Sequence, residues 1–312
     1  MSNLPPSLSV LVPVYRCEAS LNQLTERLLT VLQATQRPFE IIFINDGSPD
    51  QSWATIQNWV QRESRIRGIN LLRNFGQHNA LLCGIRSARH DVIVTLDADL
   101  QNPPEDIPIL LGKLDEGYDV VYGAPRHQQQ GAGRYLASQI VRLVVQTAMG
   151  INYAGDISAF RVFRTQLREA FANYRAPTVS IDVLLNWGTT QVCAVAVQHN
   201  PRFSGRSGYS VRRLFAHCFN ILTGFSTLPL RLASWIGFCL IIFGIGVLIY
   251  VVGRYLMLGY SFPGFPFLAS IITIFSGAQL FALGIIGEYL ARMHLRLMDR
   301  PSYVVRQEIE HP

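Results

Sequence analysis

Two carboxylates one residue apart, Asp97 and Asp99, stand at the end of the apolar run Val92–Leu96. The run reads as a buried β-strand. On a strand leaving a parallel sheet, that spacing can bring two hard oxygen donors to one divalent cation. A cation held there could bind a nucleotide diphosphate and offset its charge as it departs. The chemistry suggested is transfer from an activated donor. An Asp-x-Asp pair is common in loops, so the elements around it must decide.

Those elements alternate. Ser9–Val14, Glu40–Asn45, Arg67–Leu72, Val92–Leu96 and Val120–Gly123 read as strands. Ser20–Ala34, Ser52–Arg62, Gln77–Ala88 and Pro104–Glu116 read as helices. Near-continuous apolar strands separated by helices predict an α/β domain with a mostly parallel sheet. Ligands of such sheets bind outside the carboxyl ends of the strands. Three polar groups fall at such ends: Pro13-Val14-Tyr15, Asn45-Asp46-Gly47-Ser48 and Asp97-Ala98-Asp99. Further on, Gly131–Gly150 has a helical pattern that suits either a membrane surface or ordinary packing. Ala159–Phe163 and Val192–Val197 read as strands, and Arg212–Pro229 as a juxtamembrane helix. The polar tail Asp299–Pro312 is expected to be loose.

The 312 residues carry a net charge of +6, yet only 15% of them are charged. The mean hydropathy of +0.21 points to membrane segments. No charge falls in Leu232–Gly253 or in Tyr255–Gly287. Each stretch supplies the roughly 20 apolar residues that cross a bilayer. Buried core helices are a poor fit to runs so long and clean. Arg212, Arg213 and Arg231 precede the first stretch, Arg292, Arg296 and Arg300 follow the second, and the connection carries only Arg254. By the positive-inside rule both termini and the catalytic part are cytoplasmic, on the cell membrane. The first 15 residues lack a basic start followed by an apolar core, so no leader is expected. The expected organisation is a catalytic domain over 1–210, a juxtamembrane helix over 211–230, two spans over 231–290 and a cytoplasmic tail over 291–312.

Cys17, Cys83, Cys193, Cys218 and Cys239 have no paired spacing, so buried, reduced thiols are expected rather than zinc or disulfides. Lys113 is the only lysine. No nucleic-acid motif is present, so the arginine surplus is read as serving phosphates and an anionic membrane face. His78, at a predicted helix start, is expected to be structural. Trp53 and Trp59 read as core or membrane-interface aromatics.

Taken together, Val12–Tyr15 (VPVY), Asn45–Ser48 (NDGS), Arg73–Leu81 (RNFGQHNAL) and Asp97–Glu105 (DADLQNPPE) resemble the family 2 glycosyltransferases. More narrowly, they are similar to the polyprenyl-phosphate glycosyltransferases, including dolichol-phosphate mannose synthases and bactoprenol glucosyltransferases. The two C-terminal spans fit the bactoprenol branch. The resemblance implies a GT-A (Rossmann-like) fold, a nucleotide-sugar donor such as UDP-glucose, and a polyprenyl-phosphate acceptor such as undecaprenyl phosphate. It implies that Asp97, Asp99 and Gln101 hold Mg²⁺ or Mn²⁺. Pro13, Tyr15, Glu18 and Asp46 would frame the nucleoside. Where the family has Asn and Glu after VPVY, this chain has Arg16 and Cys17, with Glu18 retained. In the Asp-x-x-x-Phe-Arg segment, Ala159 replaces a second acid, which leaves Asp156 to help the acceptor. The family's Gly-x-Ser-Lys becomes Gly205-Arg206-Ser207-Gly208. Arg202 and Arg206, with Arg126 and Arg134, are then the expected source of positive charge for the acceptor.

A lipid phosphate is largely ionised at neutral pH, with a second pKa of about 6. It needs little general-base help, so positioning and charge compensation dominate. Guanidinium groups suit it because they grip phosphate oxygens bidentately. A single displacement inverts the anomeric centre. Spans would concentrate the enzyme at its bilayer-bound acceptor. Gly244, Gly246, Gly277 and Gly284 could instead serve close helix contacts in a homo-oligomer. The alternatives are a GDP-mannose-using mannosyltransferase, a processive synthase (argued against by the lack of a Gln-x-x-Arg-Trp segment), and a non-catalytic scaffold or transport component.

Overall fold

A computed structural model describes residues 5–125, 158–176, 179–200, 227–258 and 264–312. The chain divides into two units, Met1–Tyr209 with Asp299–Pro312, and Ser210–Met298.

The first unit is built on an eight-stranded sheet among the described residues, in the order β7-β5-β6-β4-β1-β2-β3-β8. The strands are β1 (Leu8–Val14), β2 (Phe39–Asn45), β3 (Ile66–Leu71), β4 (Val92–Thr95), β5 (Val120–Pro125), β6 (Arg161–Arg164), β7 (Val192–Val197) and β8 (Val305–Ile309). β1 pairs in parallel with β2 and β4, β2 with β3, and β5 with β7. β6 runs antiparallel between β4 and β5, and β8 antiparallel along β3.

The parallel centre is apolar on both faces, as a sheet covered on both sides requires. Val10, Val12 and Val14 join one core with Leu21, Leu24, Leu28 and Leu32 of α1 (Glu18–Ala34). That same core takes in α2 (Ser52–Arg62) and α4 (Ile107–Asp115). Leu11, one residue out of phase, joins the opposite core with α3 (Gln77–Ser87) and α5 (Ile181–Gly188). The leucines of α1 recur at three- and four-residue spacing, the stripe of a helix buried on one face. Trp53 and Trp59 are half-buried against the first core, and the Trp59 indole N–H donates to Asn22 at 2.8 Å.

Among the described residues, the expected strands and helices lie close to where the sequence puts them, with three differences. The strand expected over Ala159–Phe163 runs over Arg161–Arg164. The tail expected to be loose contributes β8, an edge strand that pairs Gly68 with Ile309 and Asn70 with Gln307. Its Val-Arg-Gln-Glu-Ile sequence, with three polar residues in a row, hides it from a hydrophobic pattern. Opposite charges hold it: Arg67, nearly buried, meets Glu40 at 2.7 Å and Glu308 at 2.6 Å. The helix expected over Gly131–Gly150 and the juxtamembrane stretch 212–226 lie outside the described residues.

The second unit contains α6 (Leu228–Leu258) and α7 (Phe265–Leu297), both long and apolar enough to cross a membrane and with none of their apolar windows buried. They pack on each other, with Gly244 opposite the Phe275 ring. The third difference is here. Arg254 was expected in the connection, but it lies inside α6, which continues to Leu258. One arginine in an otherwise apolar run does not end a helix; its guanidinium donates to the Tyr250 hydroxyl one turn back, at 3.4 Å. Among the described cysteines none is disulfide-bonded; only Cys83 is buried, and Cys239 is exposed on α6.

Candidate active site

β1 has β2 on one side and β4 on the other, so chain order reverses at β1. The crevice at such a switch point is where open α/β sheets bind ligands. A cleft of about 370 Å³ lies there, lined by Pro13 at the end of β1 with Tyr15 and Arg16 after it, Asp46 after β2, and Asp97 and Asp99 after β4. The three strand ends singled out in the sequence therefore meet in one place.

Asp97 and Asp99 are half-buried. The Gln77 side-chain amide donates to Asp97 Oδ1 at 2.5 Å. The backbone N–H of Gln101 donates to Asp99 Oδ1 at 3.1 Å, closing a turn through Leu100, whose φ is +61°. A buried leucine in the left-handed region is strained, and such strain gathers at functional sites. Gln101 itself is beside the cleft rather than lining it; its carbonyl accepts from Asn200 N at 2.8 Å.

Asp46 is almost wholly buried, and both its oxygens are used. Oδ1 accepts from Phe75 N at 2.7 Å and Oδ2 from Gly76 N at 2.9 Å. Burial pushes its carboxyl above the usual range, against the pull of those two backbone donors. Gly47 follows with φ +60°, and a Cβ there would stand 2.4 Å from the carbonyl carbon of Arg73. The turn after β2 and the segment 73–76 are thus in tight contact.

Tyr15 is exposed in the cleft, with the Arg16 guanidinium 5.4 Å from its ring centre. Glu18 does not line the cleft; at the start of α1 it accepts from Gln51 N, at the start of α2, at 3.2 Å. Cys17 does line it. Burial pushes its thiol up against the pull of its hydrogen bond to the Tyr15 carbonyl, and the carboxylates of Asp99, Asp50 and Asp97 push the same way as burial. Asp156, Arg126, Arg134, Arg202 and Arg206 lie outside the described residues.

Sequence reasoning missed two features. Gln77 lies in the Arg73–Leu81 motif, and no local pattern marks it as a partner of Asp97. Arg161 was read only as part of a motif, yet it is fully buried, paired with Asp182 and donating through Nε to Thr95 Oγ1 at 3.1 Å, two residues before Asp97. The Tyr122 hydroxyl completes that network by donating to Asp182 at 3.1 Å. His78 Nδ1 accepts from Ile181 N at 3.3 Å, which joins the start of α3 to the start of α5.

The described residues hold no group of three or more His, Cys, Asp or Glu that could form a metal cage. Two carboxylates in one cleft suit a different arrangement. Mg²⁺ and Mn²⁺ are hard cations, and Mg²⁺ is commonly held by one or two carboxylates with the rest of its shell from substrate phosphate and water. Asp97 and Asp99 fit that donor set.

Residues 9–174 match the family described as "Glycosyl transferase family 2". The chain belongs to that family. It is a glycosyltransferase with a GT-A fold. The transferase is 35% identical over 305 residues to an undecaprenyl-phosphate 4-deoxy-4-formamido-L-arabinose transferase of Pseudomonas aeruginosa, covering 97% of this chain and 90% of the relative. It is 36% identical to the protein of that name from Shewanella sediminis, covering 96% and 91%. Among solved structures it resembles glucosyl-3-phosphoglycerate synthase from Mycobacterium tuberculosis, crystallised with Mn²⁺ and UDP, with a TM-score of 0.51 and 16% identity over 70% of this chain and 78% of that one. Mannosyl-3-phosphoglycerate synthase from Rubrobacter xylanophilus gives a TM-score of 0.51 at 14% identity over 70% and 72%. At such identities the two structures speak for the fold of the transferase.

Proposed function

We propose that this transferase moves a sugar from a UDP-sugar to undecaprenyl phosphate at the cytoplasmic face of the cell membrane, with inversion at the anomeric carbon. One observation carries the reading: Asp97 and Asp99 share a cleft with Pro13, Tyr15 and Asp46 at the carboxyl ends of β1, β2 and β4. The acceptor is supported by relatives named for undecaprenyl phosphate that align with almost the whole chain. Two helices able to cross a membrane suit an acceptor whose tail stays in the bilayer.

Pro13, Tyr15 and Asp46 bind the nucleoside, with Glu18 behind them steadying the start of α2. Asp97 and Asp99, with Gln101 beside them, hold Mg²⁺ or Mn²⁺ on the donor diphosphate. When bound, the cation supplies positive charge to the departing group. Arg126, Arg202 and Arg206 grip the acceptor phosphate, with Arg134 and Asp156 assisting. The phosphate oxygen attacks the anomeric carbon, the bond to the diphosphate breaks, and UDP leaves. No enzyme nucleophile is required. Gly246, Gly277 and Gly284 on the spans would serve close helix contacts in a homo-oligomer, while Gly244 packs against Phe275 within the chain.

Glucose is the sugar implied by the motifs, whereas the relatives' shared name favours 4-deoxy-4-formamido-L-arabinose. A panel decides. Purified protein is given undecaprenyl phosphate with UDP-glucose, UDP-4-deoxy-4-formamido-L-arabinose or GDP-mannose, and the lipid product is analysed by NMR. One UDP-sugar should be turned over, with the product anomer opposite to the donor's. Retention would overturn the single displacement. Turnover of GDP-mannose alone would overturn the UDP donor.

A further inference from the structure

We propose that Gln77 is a positioning residue for Asp97, and that it sets the transferase's affinity for its divalent cation. The inference rests on the reading of Asp97 as a cation ligand.

Gln77 opens α3 and lines the cleft. Its amide N–H donates to Asp97 Oδ1 at 2.5 Å, across 20 residues of sequence. Such a bond fixes the rotation of the carboxylate about its Cβ–Cγ bond. Groups that hydrogen-bond to a ligand and orient it in this way govern metal affinity by about 10–100-fold.

The reach of Gln77 is set in turn by buried structure. Asp46 clamps Phe75 N and Gly76 N, the two residues before it. Gly76 has φ +95°, a conformation that turns the chain sharply into α3. On the far side, Ile181 N donates to His78 Nδ1. A side chain that is itself exposed is therefore carried between a backbone held by Asp46 and a neighbour, His78, whose side chain is anchored at Ile181. That combination suits a residue whose task is an aimed hydrogen bond rather than core packing. It also joins the two ends of the cleft, because the carboxylate proposed to meet the nucleoside holds the segment that aims the amide at the cation site.

The test uses the full chain in detergent with saturating UDP. Binding of Mn²⁺ is followed by loss of the free-ion electron paramagnetic resonance signal, for wild type, Gln77→Leu and Gln77→Asn. Leucine removes the donor, and asparagine is one methylene too short to keep the contact. Both variants should weaken Mn²⁺ about 10-fold or more, with thermal unfolding unchanged and the KM for the lipid acceptor unchanged. Equal Mn²⁺ affinity in wild type and both variants overturns the inference and leaves the proposed function standing. Absence of Mn²⁺ binding to the wild type, with or without UDP, overturns the reading of Asp97 as a ligand, and this inference with it.

Discussion

The carboxylate of Asp46 and the backbone N–H of Gly76 are 2.9 Å apart, although 30 residues separate them in the chain. With the bond to Phe75, this ties the end of β2 to the segment that enters α3. Asp46→Asn puts an amide N–H against one of two backbone donors. The expected cost is about 1–3 kcal/mol of stability, with a raised KM for the nucleotide sugar. Denaturant unfolding and donor kinetics together check this. An unchanged midpoint and unchanged KM would show that the clamp does nothing.

Gly47→Ala should be worse than its size suggests. Its φ of +60° disfavours any Cβ, and the new atom would meet the Arg73 backbone at 2.4 Å. A loss of at least about 1 kcal/mol is expected from the backbone alone, with the turn pushed off segment 73–76. Equal stability of the variant by chemical unfolding would contradict the contact.

How much of this was legible in the sequence follows from what each element depends on. Val192–Val197 and the three polar strand ends were readable because an apolar run and its polar exit are local patterns. The Asp46 clamp and the Gln77 contact were not, because they join residues 20 to 30 positions apart. β8 was missed for the same reason. Its five residues are mostly exposed and polar, and its support is Arg67, 241 positions away from Glu308. Arg161 shows the converse. An arginine in a motif suggests a surface charge, yet Asp182, Thr95 and Tyr122 make it a satisfied core residue.

Glu40 provides a pH test. Burial raises its carboxyl, but the hydrogen bonds from Ser9 and Arg67 outweigh that and hold it below the ordinary glutamate value of 4.5. A lowered folded value means that its stabilisation is complete above about pH 4.5 and is lost as pH falls through the folded value. Glu40→Ala should cost about 3 kcal/mol near neutrality, since it strands Arg67 from its buried partner. The gap to wild type should shrink below pH 4.5. A gap that stays constant down to the acid limit would argue that the pair is not responsible.

Removing Tyr303–Pro312 deletes β8, bares the edge of β3 and leaves Arg67 without Glu308. It also removes the Val304 carbonyl that accepts from Leu72 N at 2.9 Å, next to the Arg73–Gln77 segment. The truncated protein should unfold at lower temperature and lose transfer activity. Wild-type unfolding and turnover would mean the tail is dispensable.

The most direct test of the central claim is transfer of labelled sugar from the UDP donor that the panel selects to undecaprenyl phosphate, with Mn²⁺ or with chelator, in wild type and Asp99→Ala. The account predicts transfer that chelator abolishes and Mn²⁺ restores, and a loss of at least about 100-fold in Asp99→Ala, the scale of removing several kcal/mol of charge stabilisation. Transfer by wild type that survives chelator, or by Asp99→Ala at the wild-type rate, would contradict it.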